Sequence, residues 1–400
     1  MKKILEIINL PGSAQNFIGD QFSYFRENGG YEMHLICSPG SGIEDFAKAH
    51  RVKYFPVKIE RRPSPWRDLK ALWKIYKYIK RNKIDIVISH QEKSRLLGTV
   101  AAWLNRVPVR IIYAHGVLLD TMQGMKRKFF LMEGKMVSRL AHKIVCVSPS
   151  VMTRRVDIGM DKPEKQVLIG HGTCNGIDTI SKFNSDLVTD DERHAIRRSL
   201  EFNEDDFVVG FCGRIVRDKG IIELAKAIEI LSQRHPNKSI KLLVIGAFEK
   251  RDAVPPETAE FLKNSPLVKF TGRVPFDDIQ KYYTPMNVLV LPSYREGFGL
   301  VTTEAGAMGV PAIVSRSTGC IDSIIENETG VYCDIEPNDI ANKIELFFNK
   351  EYAKEMGKNA RQFVRNNFEH KNVMRNTLDF INQIVNKNIK IDDSIWQKKS

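Results

Sequence analysis

Two glutamates with seven residues between them lie in a glycine-rich segment that could hold a phosphorylated ligand. The segment 292–305 follows the apolar run Val288–Leu291 and carries Glu296 before a turn and Glu304 inside the next helix. Ligands of open parallel sheets lie beyond the carboxyl ends of the strands, and a helix N-terminus offers unpaired N–H groups to phosphate. Because a turn separates the two carboxylates, we expect them to bracket one ligand and not to share a metal ion.

This segment resembles family 4 glycosyltransferases of GT-B fold, which carry two such glutamates in a Glu-Gly-Phe-Gly context. The resemblance implies that Glu296 contacts the donor sugar and that Glu304 holds the ribose hydroxyls. It also implies that main-chain N–H groups around Gly297, Phe298, Gly299 and Leu300 meet the sugar or the diphosphate. The segments 318–322 and 328–330 are similar to those of capsule-type members of the family.

A second segment, 212–221, places Arg214 and Lys219 just after another apolar run. Transfer from a nucleotide sugar expels a diphosphate, so fixed cations must stand where negative charge develops. These residues resemble the diphosphate-binding pair of the family and are our candidates for electrophilic catalysis. The chain has no Asp-x-Asp pair that could hold a divalent ion. We therefore expect no metal and no other cofactor, the nucleotide sugar being a co-substrate.

The remaining candidates follow other predicted strands. By resemblance, Val274 meets the nucleobase, Gly12 in the loop 10–21 approaches the donor diphosphate, and His115 lies near the donor sugar. A lone histidine at a strand end is more often structural, but the adjacent glycine and the family match favour an active-site role for His115. We also expect His90, Lys93 and Arg95 to form a patch that binds an acceptor phosphate.

Short apolar runs alternating with helical patterns predict two α/β domains, each a doubly wound, Rossmann-like parallel sheet. The predicted strands are 3–8, 33–37, 84–89, 109–114, 143–148 and 167–169, and then 207–211, 242–245, 268–270, 288–291, 312–314 and 330–333. The polar stretch 172–191 interrupts this alternation, so we divide the chain into an acceptor-binding domain, 1–172, and a nucleotide-sugar-binding domain, 173–371. By resemblance, the domains face each other across a cleft, and the C-terminal segment 372–400 packs back on the first domain.

The charge is uneven along the 400 residues. Residues 1–172 hold 30 Lys and Arg against 15 Asp and Glu, whereas the rest of the chain is nearly balanced. Such a basic half can meet nucleic acid, an anionic membrane or a phosphorylated substrate. Two basic helical patterns, 65–81 and 122–140, also carry aromatic residues and could lie on a membrane surface.

The sequence also excludes several classes. No apolar run approaches a membrane span, no signal peptide is evident, and six scattered cysteines form no Cys-x-x-Cys pair. We therefore expect a cytoplasmic enzyme, with peripheral contact at the inner face of the membrane.

The predicted activity is metal-independent transfer of a hexose or N-acetylhexosamine from a UDP-sugar to a saccharide or polyprenyl-diphosphate-linked acceptor, and the family resemblance implies that the transfer is retaining. Capsule, exopolysaccharide or O-antigen synthesis would use such a step. The alternatives are a UDP-sugar epimerase or a phosphorylase on the same fold, and a nucleic-acid-binding protein. The paired glutamates with Arg214 and Lys219 disfavour an epimerase. We expect no nucleic-acid partner, because the basic half has no recognition motif.

Overall fold

The computed structural model describes residues 1–60 and 63–386, and they form two compact units. The first unit contains Met1–Gly176 together with the chain from His370, and the second contains Ile177–Glu369. Our division at 172/173 lies four residues before the end of the first unit. Each unit is built on one parallel sheet, as the alternation of apolar runs and helical patterns predicted.

The first sheet has seven parallel strands in the order β3-β2-β1-β4-β5-β6-β7. Its elements are β1 (Lys3–Ile7), α1 (Pro11–Phe17), α2 (Gln21–Gly29), β2 (Glu32–Cys37), α3 (Ile43–Ala49), β3 (Lys53–Pro56), α4 (Pro65–Asn82), β4 (Ile86–Ser89), α5 (Glu92–Leu104), β5 (Val109–Ala114), α6 (Gly124–Leu140), β6 (Lys143–Cys146), α7 (Pro149–Asp157) and β7 (Gln166–Leu168). The strand order reverses between β1 and β4. This reversal opens a gap between helices at the carboxyl ends of those two strands.

The second sheet has six parallel strands in the order β10-β9-β8-β11-β12-β13. Its elements are α8 (Asp190–Ser199), β8 (Phe207–Cys212), α9 (Ile221–Arg234), β9 (Ile240–Ile245), α10 (Pro256–Asn264), β10 (Val268–Gly272), α11 (Ile279–Tyr283), β11 (Val288–Leu291), α12 (Leu300–Ala307), β12 (Ala312–Ser315), β13 (Gly330–Cys333), α13 (Pro337–Leu346) and α14 (Lys350–Phe368). Here the order reverses between β8 and β11, which are the strands that precede the two candidate chemical segments.

The last described helix, α15 (His370–Asn386), belongs to the first unit. It packs on α2, and the hydroxyl of Tyr31 donates a 2.6 Å hydrogen bond to Oδ1 of Asn382. The part of the expected C-terminal segment beyond residue 386 lies outside the described residues.

Both sheets are covered on two faces, which explains their uninterrupted apolar strands. In the first unit, Leu5 and Ile7 of β1 pack with Ile75 and Ile79 of α4 in one core cluster. A second cluster on this sheet contains Ile144 of β6. In the second unit the core contains residues of β8, β9, β11, α9 and α13.

The structure differs from the sequence-based expectations at two places in the first unit. The segment 10–21, expected to be a loop, contains α1, which begins at Pro11 because proline is favoured in the first helical turn. Gly12 therefore lies in the first turn of a helix. The edge strand β3 was missed, since its Lys-Tyr-Phe-Pro sequence is short, half-exposed and ends in proline.

Gly220 lies where the loop after β8 contacts the loop after β11, at the reversal point of the second sheet. It begins α9 with φ of 68°, and a Cβ atom there would stand 2.0 Å from the carbonyl oxygen of Pro292. Gly309 has a similar φ of 79°, but no atom lies within 4 Å of its would-be Cβ. The two glycines therefore share the backbone conformation and differ in the space around them.

We predict that Gly220→Ala destabilises the second unit more than Gly309→Ala does. The control substitution should cost about 1 kcal/mol, because alanine disfavours positive φ. The clash at Gly220 should add about 1–3 kcal/mol. Urea unfolding followed by circular dichroism measures both, and equal midpoints for the two variants would contradict the close approach.

Candidate functional site

The first cluster of candidate residues lies at the carboxyl ends of β8 and β11, which are hydrogen-bonded neighbours. We call residues 213–220 the basic turn and residues 292–299 the glutamate loop. The backbone N–H of Tyr294 and the hydroxyl of Ser293 both donate to the carbonyl oxygen of Asp218, at 2.9 and 3.0 Å. Main-chain contacts therefore hold the two segments together, and their side chains are positioned jointly.

The central contact of this cluster joins Lys219 to Glu296. The Lys219 ammonium donates to Oε1 of Glu296, and each side chain is less than one-fifth exposed. Fixed positive charge and a carboxylate thus meet at the reversal point of the sheet. The basic turn and the glutamate loop, predicted separately from sequence, converge on this contact.

Arg214 lies in the same turn but in a more open position. Its side chain is half exposed, and its guanidinium pairs with Glu249 at 3.3 Å. A second, longer approach of 4.0 Å reaches Asp218, whose other oxygen is bound by Arg295 at 2.8 Å. Arg214 can therefore exchange one surface partner for an anionic ligand without exposing a buried carboxylate.

The loop that follows β12 contacts the main chain of Glu296 and holds it in place. The N–H of Glu296 donates to the carbonyl oxygen of Thr318 at 2.9 Å. A Cβ atom on Gly319 would lie 2.5 Å from the carbonyl oxygen of Glu296, so only glycine allows this approach. The supporting role of Gly319 was not predicted, although a glycine that follows Ser317 and Thr318 shortly after a strand is typical of a tight turn.

The N-terminus of α12 presents backbone N–H groups beside the glutamate loop. Gly299 is its N-cap residue, with φ of 75°, and no side chain caps the helix, so the first N–H groups, including that of Leu300, are not satisfied by a cap. The ring of Phe298 is buried and packs edge-on against Phe368. The side chain of Phe298 is therefore not available to a ligand, whereas its main chain and that of Gly297 are.

Glu304 lies one turn further along α12 and has a partner that the sequence did not reveal. The hydroxyl of Tyr283, a fully buried residue at the end of α11, donates to Oε2 of Glu304 at 2.6 Å. Burial raises the pKa of Glu304 to about 7, while the bond from Tyr283 and the charge of Lys182 act in the opposite direction. Val274 lies on a different segment, just after β10, and is partly buried.

A second cluster occupies the carboxyl ends of β1, β4 and β5 in the first unit. His115 follows β5, and its Nε2 lies 2.9 Å from Nδ1 of His90, which follows β4. The other nitrogen of His90 lies 2.7 Å from Oε2 of Glu6 in β1. A role for Glu6 was not predicted, yet a single acidic residue inside an apolar strand is a usable signal, because buried carboxylates need partners.

The residues expected to form an acceptor-phosphate patch do not form one exposed surface. Both ring nitrogens of His90 are already engaged, and the ammonium of Lys93 is held by Asp68 at 2.7 Å. Arg95 is buried, which lowers the pKa of its guanidinium. Packing of α5 against α4 and α6 explains the burial of Arg95.

The two units match known protein families over most of the chain. Residues 17–179 match Glycosyltransferase Family 4, and residues 192–363 match Glycosyl transferases group 1. The capsular polysaccharide biosynthesis glycosyltransferase CapM of Staphylococcus aureus is 33% identical over 373 residues, covering 92% of this chain and 93% of that protein. The chain belongs to glycosyltransferase family 4.

Two further proteins are similar to this glycosyltransferase over most of its length, at lower identity. The UDP-Gal:alpha-D-GlcNAc-diphosphoundecaprenol alpha-1,3-galactosyltransferase of Escherichia coli is 26% identical, over 89% of this chain and 90% of that protein. The crystal structure of Anabaena Alr3699/HepE in complex with UDP and glucose has a TM-score of 0.77 at 18% identity, covering 96% of this chain and 100% of that one. At that identity the structural likeness supports the fold alone.

We predict that Tyr283→Phe raises the pKa of Glu304 above its value of about 7, because the lost O–H no longer stabilises the carboxylate. Carbon-13 titration of the glutamate carboxyls, with the Glu304 signal assigned through Glu304→Gln, measures the change. The adjacent Tyr282→Phe, which removes the same atom from the same helix, serves as control. A pKa that falls or stays constant in Tyr283→Phe would contradict the assigned bond.

Proposed function

We propose that this glycosyltransferase uses a UDP-sugar as donor and binds its diphosphate at the basic turn. The observation that carries the proposal is the Lys219–Glu296 contact at the carboxyl ends of two neighbouring strands. It supplies a fixed cation for the leaving diphosphate, and Arg214 adds a second one that is half exposed. The printed name of the Escherichia coli relative includes UDP-Gal, and Anabaena HepE was crystallised with UDP and glucose.

In this proposal Glu304 accepts hydrogen bonds from the ribose hydroxyls, and backbone N–H groups of residues 297–300 meet the diphosphate or the sugar. Val274 lies against the nucleobase. Gly12 and His115, from the first unit, serve the diphosphate and the donor sugar. Because the carboxylate form of Glu304 is the acceptor, and its pKa is about 7, nucleotide affinity should rise as pH increases through neutrality.

We further propose that transfer retains the anomeric configuration and needs no metal. The bond between the anomeric carbon and the diphosphate oxygen breaks, and a bond to the acceptor oxygen forms on the same face. The acceptor proton passes to the departing phosphate oxygen, so no enzyme nucleophile is required. Lys219 and Arg214 neutralise the negative charge of the leaving diphosphate, which a divalent ion would otherwise neutralise.

The proposed acceptor is a saccharide on polyprenyl diphosphate, used in synthesis of a capsule or a related polysaccharide. The Staphylococcus aureus relative is named for capsular polysaccharide biosynthesis, and the Escherichia coli relative is named for a diphosphoundecaprenol acceptor. Such an acceptor lies in a membrane, so the enzyme must reach the membrane surface. None of the helices in the described residues has the length and apolar character needed to cross a membrane.

Two helices of the first unit carry exposed apolar side chains that support contact with an anionic membrane. Trp66, Leu69 and Trp73 form one exposed stripe on α4, whereas Ala71, Ile75 and Ile79 of the same helix face the core. A parallel case on α6 is the exposed stripe of Met125, Phe129, Met132 and Met136.

Basic residues flank both stripes, among them Lys70, Lys74, Lys126 and Lys128. Exposed aromatic residues of this kind insert at the boundary of headgroups and acyl chains, and neighbouring lysines attract anionic lipids. We call the two stripes with their lysines the basic aromatic face, and we propose that anionic lipid is its occupant.

The donor proposal is tested by calorimetric titration with UDP in EDTA. Wild-type protein should bind UDP, and Lys219→Ala should bind it about tenfold more weakly or worse, since a bond to a charged group is lost. Lys226→Ala, which removes an exposed charge from the neighbouring α9, should bind normally. Binding that requires a divalent ion, or that is unaffected by Lys219→Ala, would refute the assignment.

Proton NMR of the transferred sugar then gives the configuration of the product, and an inverted product would refute retention. Incubation of the enzyme with the UDP-sugar but without acceptor distinguishes a transferase from an epimerase, because only an epimerase would interconvert UDP-sugars under these conditions. Glu296→Gln should abolish most transfer while it leaves UDP binding largely unchanged.

The membrane proposal predicts sedimentation with phosphatidylglycerol vesicles and weak sedimentation with phosphatidylcholine vesicles. The triple variant Trp66→Ser, Trp73→Ser, Phe129→Ser should lose most of the bound fraction, because its apolar contacts are removed. The double variant Leu187→Ser, Leu346→Ser removes exposed leucines of the second unit and should bind like wild type. Equal binding of both variants would contradict a role for the basic aromatic face.

A further inference from the structure

Three titratable side chains form a continuous row at the carboxyl edge of the first sheet. Glu6 lies in β1, His90 directly follows β4, and His115 directly follows β5. These strands are consecutive neighbours in the sheet. The parallel register therefore sets the spacing of the three side chains, which come from positions more than 100 residues apart in the sequence.

Each link of the row is a hydrogen bond of ordinary length. Oε2 of Glu6 lies 2.7 Å from Nε2 of His90, and Nδ1 of His90 lies 2.9 Å from Nε2 of His115. Glu6 and His90 are 2% and 3% exposed, so water does not compete for these bonds. The Nδ1 atom of His115 is the one ring nitrogen of the row that these bonds do not engage.

Aromatic rings fix the planes of both imidazoles. Tyr113 stacks on His90 with a centroid distance of 4.9 Å, and Phe17 of α1 stacks on His115 at 4.7 Å. The hydroxyl of Tyr113 bonds to Thr377 of α15, so this ring is itself held in place. Neither imidazole can rotate without breaking a stack and a hydrogen bond.

The direction of hydrogen donation along the row depends on the state of Glu6. Burial raises the pKa of Glu6 well above its usual value and lowers the pKa of His90 to about 3. Burial also lowers the pKa of His115, and the nearby charge of Arg95 acts in the same direction. Burial therefore favours the uncharged form of all three groups, which are then a neutral acid and two neutral imidazoles.

A neutral carboxylic acid is a donor, so it requires an unprotonated Nε2 on His90. His90 then carries its hydrogen on Nδ1 and donates it to Nε2 of His115. His115 in turn must carry its hydrogen on Nδ1. An ionised Glu6 would reverse every bond and would leave Nδ1 of His115 as an acceptor.

We propose that Glu6 and His90 are positioning residues for His115, and that the Glu6 hydroxyl, acting through His90, holds His115 as the tautomer with hydrogen on Nδ1. The row presents a donor of fixed direction to an oxygen-rich ligand such as a sugar. The benefit to catalysis rests on the proposed function, in which His115 meets the donor sugar. The tautomer itself does not depend on that function.

The tautomer is read directly from long-range proton–nitrogen spectra of the substrate-free protein, with His115 assigned through His115→Gln. In the wild type, Nδ1 of His115 should carry the hydrogen, and Nε2 should show the shift of an acceptor nitrogen. Glu6→Leu should yield a mixture of tautomers, because His90 loses its donor. Glu6→Gln should restore the Nδ1–H form, since an amide N–H can donate in place of the acid.

His90→Phe gives a second break in the row and keeps the ring stacked on Tyr113, so the test survives if Glu6→Leu does not fold. The matched control is His34→Phe in β2. His34 is also fully buried, with Nε2 2.7 Å from Glu32 and Nδ1 2.8 Å from the hydroxyl of Tyr78, but it lies outside the row. This control should leave the His115 spectrum unchanged.

An Nε2–H tautomer in the wild type would overturn the proposal, as would an unchanged tautomer in both Glu6→Leu and His90→Phe. With a transferable donor, the same two variants should lower kcat by about tenfold or more while UDP affinity stays unchanged. A normal kcat in both would also overturn the positioning role. Failure of the wild type to bind UDP would instead refute the proposed function and leave the tautomer result intact.

Discussion

The reversal of strand order in each parallel sheet is the constraint on which the candidate site depends. Crossover helices run to one side from β1 and β8 and to the other side from β4 and β11. Within each sheet, the two loops at the reversal point therefore lack a covering helix between them and can approach each other. The basic turn and the glutamate loop meet at one reversal point, and Glu6 and His90 meet at the other. Chemistry-bearing residues far apart in sequence become neighbours because the strands that precede them are hydrogen-bonded.

Groups at these two points are compensated locally, because charge at the end of a buried strand is costly without a partner. In the second unit the solution is an ion pair between Lys219 and Glu296, reinforced by main-chain bonds from the glutamate loop to Asp218. In the first unit burial is deeper, and it raises the pKa of the Glu6 carboxyl group, which favours the neutral form. The depth of burial thus decides whether a strand end carries charge or directed hydrogen bonds.

Local sequence was sufficient for the architecture and for the second-unit cluster. Twelve of the strands could be predicted because they are apolar runs, most of them buried on both faces, and the glutamate loop and basic turn are each contiguous in sequence. The edge strand β3 escaped prediction because it is half-exposed and lacks that pattern. The partner of Glu304 could not be predicted either, since Tyr283 reaches it from a separate helix through tertiary packing. His90 was assigned to an acceptor-phosphate patch because nothing near it in sequence indicates its partner Glu6, which lies 84 positions away.

The contrast between the two clusters corresponds to the two parts of the ligand in the proposed function. A leaving diphosphate gains negative charge, and the Lys219 ammonium, held in place by Glu296, is a fixed cation that can neutralise this charge. A sugar hydroxyl stays neutral and is discriminated by direction, for which a stacked imidazole with a fixed tautomer is suited. If the charges were exchanged between the units, a cation beside the sugar would bind water as readily as a hydroxyl. A neutral row beside the diphosphate would leave its charge uncompensated.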